Sequence, residues 1–206
     1  MRDFYREDHV QADKAELREL TDVRTLRALT HPVRIALTEA LTLHGHLTAT
    51  QAGELIGESP TTCSFHLRQL AKYGFVEEAG GGKGRARPWR LTSKGITIPD
   101  RDELDERIAA SALTGLLRER QLARHQTWIE HQRAYPKAWR SAAFDNQGLL
   151  YLTAEELAQL GEELLELVLT RYAERMDNPS ARPDGALPVE VLMFAHPVEQ
   201  PAVAEQ

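Results

Sequence analysis

Between Thr30 and Pro60 the chain carries three signals that stop one helix and start another, and this punctuation constrains the fold more than any other feature. Thr30-His31-Pro32 ends one helix and opens the next, because proline is tolerated in a first helical turn but not in an interior. Thr48-x-x-Gln51 has the form of a capping box, in which the threonine hydroxyl accepts from a backbone N–H and the glutamine reaches back to the cap. Gly57 can supply a left-handed stop, and Ser59-Pro60 gives the following helix both a cap and a preset first residue. Long helices are therefore excluded here. Apolar residues recur at helical spacing (Leu17, Leu20, Val23, Leu26, Leu29; then Val33, Ala36, Leu37, Ala40, Leu41). Four short helices are predicted, over about 13–29, 32–43, 48–56 and 59–73, folded on one another.

Gly74 ends the fourth helix. Residues 75–79 and 87–91 then read as two strands around the glycine-rich turn Gly80-Gly81-Gly82-Lys83-Gly84, with Trp89 and Leu91 facing inward. From Pro99-Asp100 a helical pattern runs to Pro136. At about 1.5 Å per residue it approaches 50 Å, long enough to need a second chain to pack on, unless it kinks near Gly115. Beyond it, 141–144 and 149–152 flank the turn-like Asp145-Asn146-Gln147-Gly148, and Thr153-x-x-Glu156 repeats the capping-box pattern before an amphipathic helix. A proline-rich linker over 178–188 leads to a last strand over 189–194. The expected organisation is 13–98, a first domain; 99–136, a long helix for dimerisation; and 137–197, a small α+β unit for dimerisation or ligand sensing.

The chain has 25 Lys and Arg against 31 Asp and Glu, a net charge of −6, which taken whole argues against a nucleic-acid partner. The distribution argues the other way. Residues 61–95 hold seven basic side chains and two acidic ones, and binding to a polyanion depends on charge within reach of the phosphates. No apolar run approaches the roughly 18 residues of a membrane span, and no secretory pattern opens the sequence. Cys63 is the only cysteine, which fits a reducing cytoplasm and excludes a Cys-rich metal site.

Ser59-Pro60-Thr61-Thr62-Cys63-Ser64-Phe65-His66-Leu67-Arg68-Gln69-Leu70-Ala71-Lys72-Tyr73-Gly74-Phe75-Val76 closely resembles the recognition-helix segment of the ArsR-type winged helix-turn-helix regulators. Leu26 to Leu37 is similar to that family's junction between its first two helices. The resemblance covers roughly 17–95. It implies a winged helix-turn-helix domain, which with the long dimerisation helix and the α+β unit read above makes a mainly α fold with small β. It also implies a homodimeric cytoplasmic repressor on a palindromic operator in double-stranded DNA.

Helical phase agrees with that implication. Cys63, Leu67, Leu70 and Gly74 fall on one face and would turn inward. Ser59, Thr61, Thr62, Ser64, Phe65 and Arg68 are left to meet a major groove, where small polar groups permit close approach and an arginine reads guanine or binds phosphate. Lys83, Arg85 and Arg87 on the glycine-rich tip would follow a minor groove. A different class of reading is a winged-helix module whose basic strip docks an acidic protein.

Other constellations do not rise to sites. His125 and His131 lie about 240° apart on a regular helix and cannot chelate one ion. Cys63, on the inward face, reads as a small buried hydrophobe rather than a redox switch, and His66 as a satisfied, half-buried histidine. No catalytic arrangement, cofactor fingerprint or metal set is evident, so neither enzyme chemistry nor a cofactor is expected. Trp128, Gln132, Tyr135 and Trp139 lie near one helical face and could line a cavity for a small-molecule effector, with core or dimer packing as the alternative.

Overall fold

The computed structural model describes residues 17–80 and 87–199. The chain divides into two compact units, Met1–Tyr135 and Pro136–Gln206.

The first unit opens with a strand, β1 (Leu17–Glu19), paired in parallel with β4 (Gly95–Thr97) in the register Leu17↔Gly95. A helix was expected over 13–29; of that span 13–16 lies outside the described residues, and helix α1 covers only Val23–Leu29. The reason is local. Asp22 is the N-cap, and its carboxylate accepts from the Thr25 backbone N–H at 2.9 Å, so the helix starts there. Gly95 lets β1 approach closely, since a Cβ at that position would lie 2.8 Å from the Leu17 side chain.

Helix α2 (Pro32–His44) begins on His31, α3 (Ala49–Ile56) on the Thr48/Gln51 capping box, and α4 (Pro60–Lys72) on Ser59. Gly57 takes the left-handed conformation, φ 75°, that turns α3 into α4. Strands β2 (Val76–Glu78) and β3 (Trp89–Leu91) form the antiparallel hairpin, and Leu47 adds a bridge to Trp89. Helix α5 (Leu104–His131) runs unbroken through Gly115.

The core is one cluster. Leu20, Leu26, Ile35, Leu37, Leu67, Leu70 and Leu113 are fully buried in it. A fully buried Leu or Ile contributes about 1.5–3 kcal/mol, so these seven outweigh the capping bonds around them. Arg120 bonds both carboxylate oxygens of Glu39 and Arg124 bonds one at 2.6 Å, which ties α5 to α2.

The second unit contains α6 (Lys137–Ala142), α7 (Ala154–Arg171) and α8 (Ala173–Asp177). The Thr153/Glu156 capping box forms as the sequence predicts. The three expected strands do not. Residues 141–142 belong to α6, and 149–152 and 189–194 take no regular structure. Strand-forming segments stay unpaired when no edge and no apolar layer support them, and among the described residues of this unit none is buried.

Candidate nucleic-acid interface

Helix α4 is seated by one face and exposed by the other. Cys63, Leu67 and Leu70 are fully buried, while Thr61, Phe65 and Arg68 are exposed and Thr62 and Ser64 half-buried. Ser59 caps the helix: its hydroxyl accepts from the Thr62 N–H at 3.0 Å and lies 2.8 Å from the Thr62 hydroxyl. One turn on, Arg68 donates to the Ser64 hydroxyl at 2.9 Å. The outer face of α4 therefore presents small hydroxyls around one arginine, with the 52% exposed Phe65 beside them. Phe65 packs edge-on against His66, ring centroids 5.1 Å apart, and does not tuck under the hairpin core.

The far end of α4 is clamped by residues that helical phase alone did not single out. Arg18 of β1 donates to the Tyr73 carbonyl at 2.6 Å and lies over the Phe75 ring at 4.4 Å. Gly74, at φ 71°, passes under the same guanidinium, where a Cβ would stand 3.3 Å from its nitrogen. Arg101 donates to the carbonyls of Leu20 and Thr21, which anchors the chain entering α5. Each arginine stands among acidic neighbours in sequence, and only the tertiary fold reveals its carbonyl partner.

Beneath α4 two imidazoles meet. His31, which caps α2 by accepting from the Val33 N–H at 3.2 Å, lies 4.5 Å from the His66 ring. Burial, followed by the cationic Arg34, holds the His31 imidazole below its ordinary range against an opposing pull from Glu58. His66 is pushed the same way by burial, then by His31 and Arg34. The expectation of a satisfied His66 is corrected here. Its ring is buried, but Nδ1 has no hydrogen-bond partner among the described residues, because its neighbours are another ring and Phe65. Cys63 behaves as its phase predicts: it is buried, and burial, then the Glu58 charge, pushes its thiol up.

Of the hairpin cations, Lys83 and Arg85 lie outside the described residues. Arg87 is ion-paired to Glu78 at 2.6 Å, and Arg90 to Glu77 at 2.7 Å. The hairpin register carries this signal, since Glu77 stands directly opposite Arg90 and Glu78 lies diagonal to Arg87. Two of the hairpin's four basic residues are therefore paired with its own strand.

The remaining residues singled out from sequence are divided between the two units. Trp128 and Tyr135 stack edge-on with centroids 4.9 Å apart, and Gln132 donates to the Ile129 carbonyl. Trp139 belongs to α6 in the second unit. None of the four lines the groove of about 430 Å³ between α2 and α3, whose walls include Val33, Ala36, Leu43 and Leu55 with Arg120 at one side. Among the described residues no group of His, Cys, Asp or Glu is arranged to hold a metal ion, and no helix is long and apolar enough to cross a membrane.

With this geometry in view, residues 29–79 match the family model described as a helix-turn-helix domain. The first unit carries a helix-turn-helix domain. Its two helices are α3 and α4, joined at Gly57, and the hairpin β2–β3 follows as a wing. No curated protein matches the chain. Among solved structures it is similar to the YusO protein from Bacillus subtilis, at 14% identity over 79% of this chain and 86% of that one, with a TM-score of 0.32. At that overlap the likeness does not bear on fold or chemistry.

Proposed function

We propose that the chain is a cytoplasmic transcriptional repressor of the ArsR type that binds a palindromic operator as a homodimer. The observation that carries this reading is the exposed face of α4, where Ser59, Thr61, Thr62, Ser64, Phe65 and Arg68 project from a helix held by Cys63, Leu67 and Leu70. Small hydroxyls permit the helix to enter a major groove, and Arg68 can exchange its Ser64 bond for a guanine edge or a phosphate. Lys83, Arg85 and Arg87 would serve the flanking minor groove, Arg87 after release from Glu78.

The homodimer is supported by α5. Leu104, Ile108, Leu122 and Ile129 remain exposed on it, and the last three fall in register with a seven-residue repeat, the period of a helix–helix seam. Such a dimer would place two α4 helices in successive major grooves, about 34 Å apart. A small-molecule effector at Trp128, Gln132 and Tyr135 would sit at the end of that helix. It would regulate only by preferring one spacing of the two α4 helices over another. Residues 137–197, which include Trp139, are the unit proposed for dimerisation or sensing.

Selection of bound duplexes from a random pool tests the reading. The expected result is an enriched inverted repeat with half-sites about one helical turn apart. A single unpaired site, or no enrichment, would overturn it. Capture of an acidic protein with no duplex enriched would favour the interaction-module reading.

A further inference from the structure

Among its described residues the second unit has many exposed large apolar side chains and none that is buried. Phe144, Tyr151, Leu164, Leu167, Tyr172 and Val189 are among those exposed. A segment of this size without a core does not hold a fold alone. Helix α7, eighteen residues from Ala154 to Arg171, is its longest element and shows what would cover it.

Two features of α7 are not explained within the second unit. Gly161 lies near its middle, where glycine weakens a helix, yet a Cβ there would meet nothing within 4 Å. Leu164, three residues on and on the same face, stays 37% exposed. The charge is also divided: Glu155, Glu156, Glu162, Glu163 and Glu166 fill the helix before its first basic residue, Arg171, and Arg175 follows.

We infer that α7 pairs antiparallel with α7 of a second copy of this chain, about a two-fold axis running between the two helices level with Glu162 and Glu163. That level is the midpoint of the helix. The axis sets Leu164 of each copy over Gly161 of the other and Leu157 over Val168. It also brings Arg171 level with the first turn of the opposite helix, on the flank where Glu156 lies. The glutamates at the axis point away from the seam, because they fall about 100–200° around the helix from Gly161. One helix thus supplies both halves of every match, as a two-fold interface requires. An unrelated partner would need only one half. The inference goes beyond the DNA-binding reading and places a second contact between copies, apart from α5.

The test uses the full chain with single cysteines introduced in turn at Glu155, Glu163 and Thr170 and carrying nitroxide labels; Cys63 can stay, because it is buried. Antiparallel pairing sets the two Glu163 backbones, on the outer sides of the pair, about 12 Å apart and the two Glu155 backbones about 26 Å apart. The expected result from spin–spin distances is a short separation at Glu163 and longer, similar ones at Glu155 and Thr170. Leu164→Arg should abolish the short separation. Equal separations at all three sites, or a short separation that survives Leu164→Arg, would overturn the pairing. A dimer by sedimentation with long separations at all three sites overturns the α7 pairing and leaves the α5 dimer standing; a monomer by sedimentation overturns both.

Discussion

Replacing Gly53 by alanine tests how the helix-turn-helix is closed. Gly53 is buried in α3, and a Cβ there would stand 2.5 Å from the Glu58 carbonyl oxygen, 3.5 Å from the Pro60 nitrogen and 3.6 Å from the Cys63 sulfur. The nearest of these is backbone and cannot swing aside. The turn is also tethered to Gly53 itself, whose carbonyl accepts from Gly57 N at 2.9 Å and Glu58 N at 3.0 Å. Relieving the overlap means stretching one or both bonds and lifting the start of α4. Overpacking of this kind costs about 1–3 kcal/mol, and each weakened bond about 0.5–1.5. Alanine returns about 1 kcal/mol as the better helix former. The net expectation for Gly53→Ala is a loss of roughly 1–3 kcal/mol, read from the urea midpoint. Gly115→Ala in α5 is the control. A Cβ there meets nothing within 4 Å, so it should be neutral or gain up to about 1 kcal/mol. Equal or greater stability for Gly53→Ala would refute the close approach of α3 to the turn.

Further expectations concern charge and burial. His31 and His66 both have folded values below the ordinary imidazole range. Their contribution is therefore whole above about pH 6.5 and declines as pH falls from there towards the folded values. Urea midpoints at pH 7.5 and 5.5 should differ for the native chain and converge for His31→Asn with His66→Leu; an unchanged pH dependence in that double variant would contradict the coupling. Asp22→Ala removes the cap of α1 and should cost about 1 kcal/mol in chemical denaturation, whereas no loss would mean the Thr25 bond is not limiting. Glu39→Gln leaves Arg120 and Arg124 without their carboxylate; with both side chains of the Glu39–Arg120 pair part-exposed, at 28% and 34%, the loss should stay under about 1 kcal/mol, and a larger one would show a tighter tie between α2 and α5. The Cys63 thiol should react with an aromatic disulfide reagent only on unfolding, and fast labelling of the folded chain would contradict its burial.

The helix-turn-helix was legible because its signals are local. Thr48, Gln51, Gly57, Ser59 and Pro60 fix caps and stops within a few residues, and the phase of Cys63, Leu67 and Leu70 fixes which face of α4 turns inward. What was misread depended on distant partners. Leu17 to Glu19 continue an apolar spacing that fits a helix, but Gly95 offers them a strand edge nearly eighty residues away in sequence. The partners of Arg87 and Arg90 were likewise out of reach of composition, because it is the hairpin register that aims Glu78 and Glu77 at them. Residues 149–152 and 189–194 have strand-forming composition, yet composition supplies no edge to pair with.

The most direct measurement is duplex affinity against salt concentration for the native chain and Arg68→Ala. If the exposed face of α4 lies against DNA, log K falls linearly with log salt for the native chain. Arg68→Ala then binds more weakly, with either a slope shallower by about 1, if the arginine meets a phosphate, or relaxed preference at one base pair, if it meets a guanine. No binding to any duplex at low ionic strength, or an Arg68→Ala protein identical to the native one in affinity, slope and preference, would contradict it.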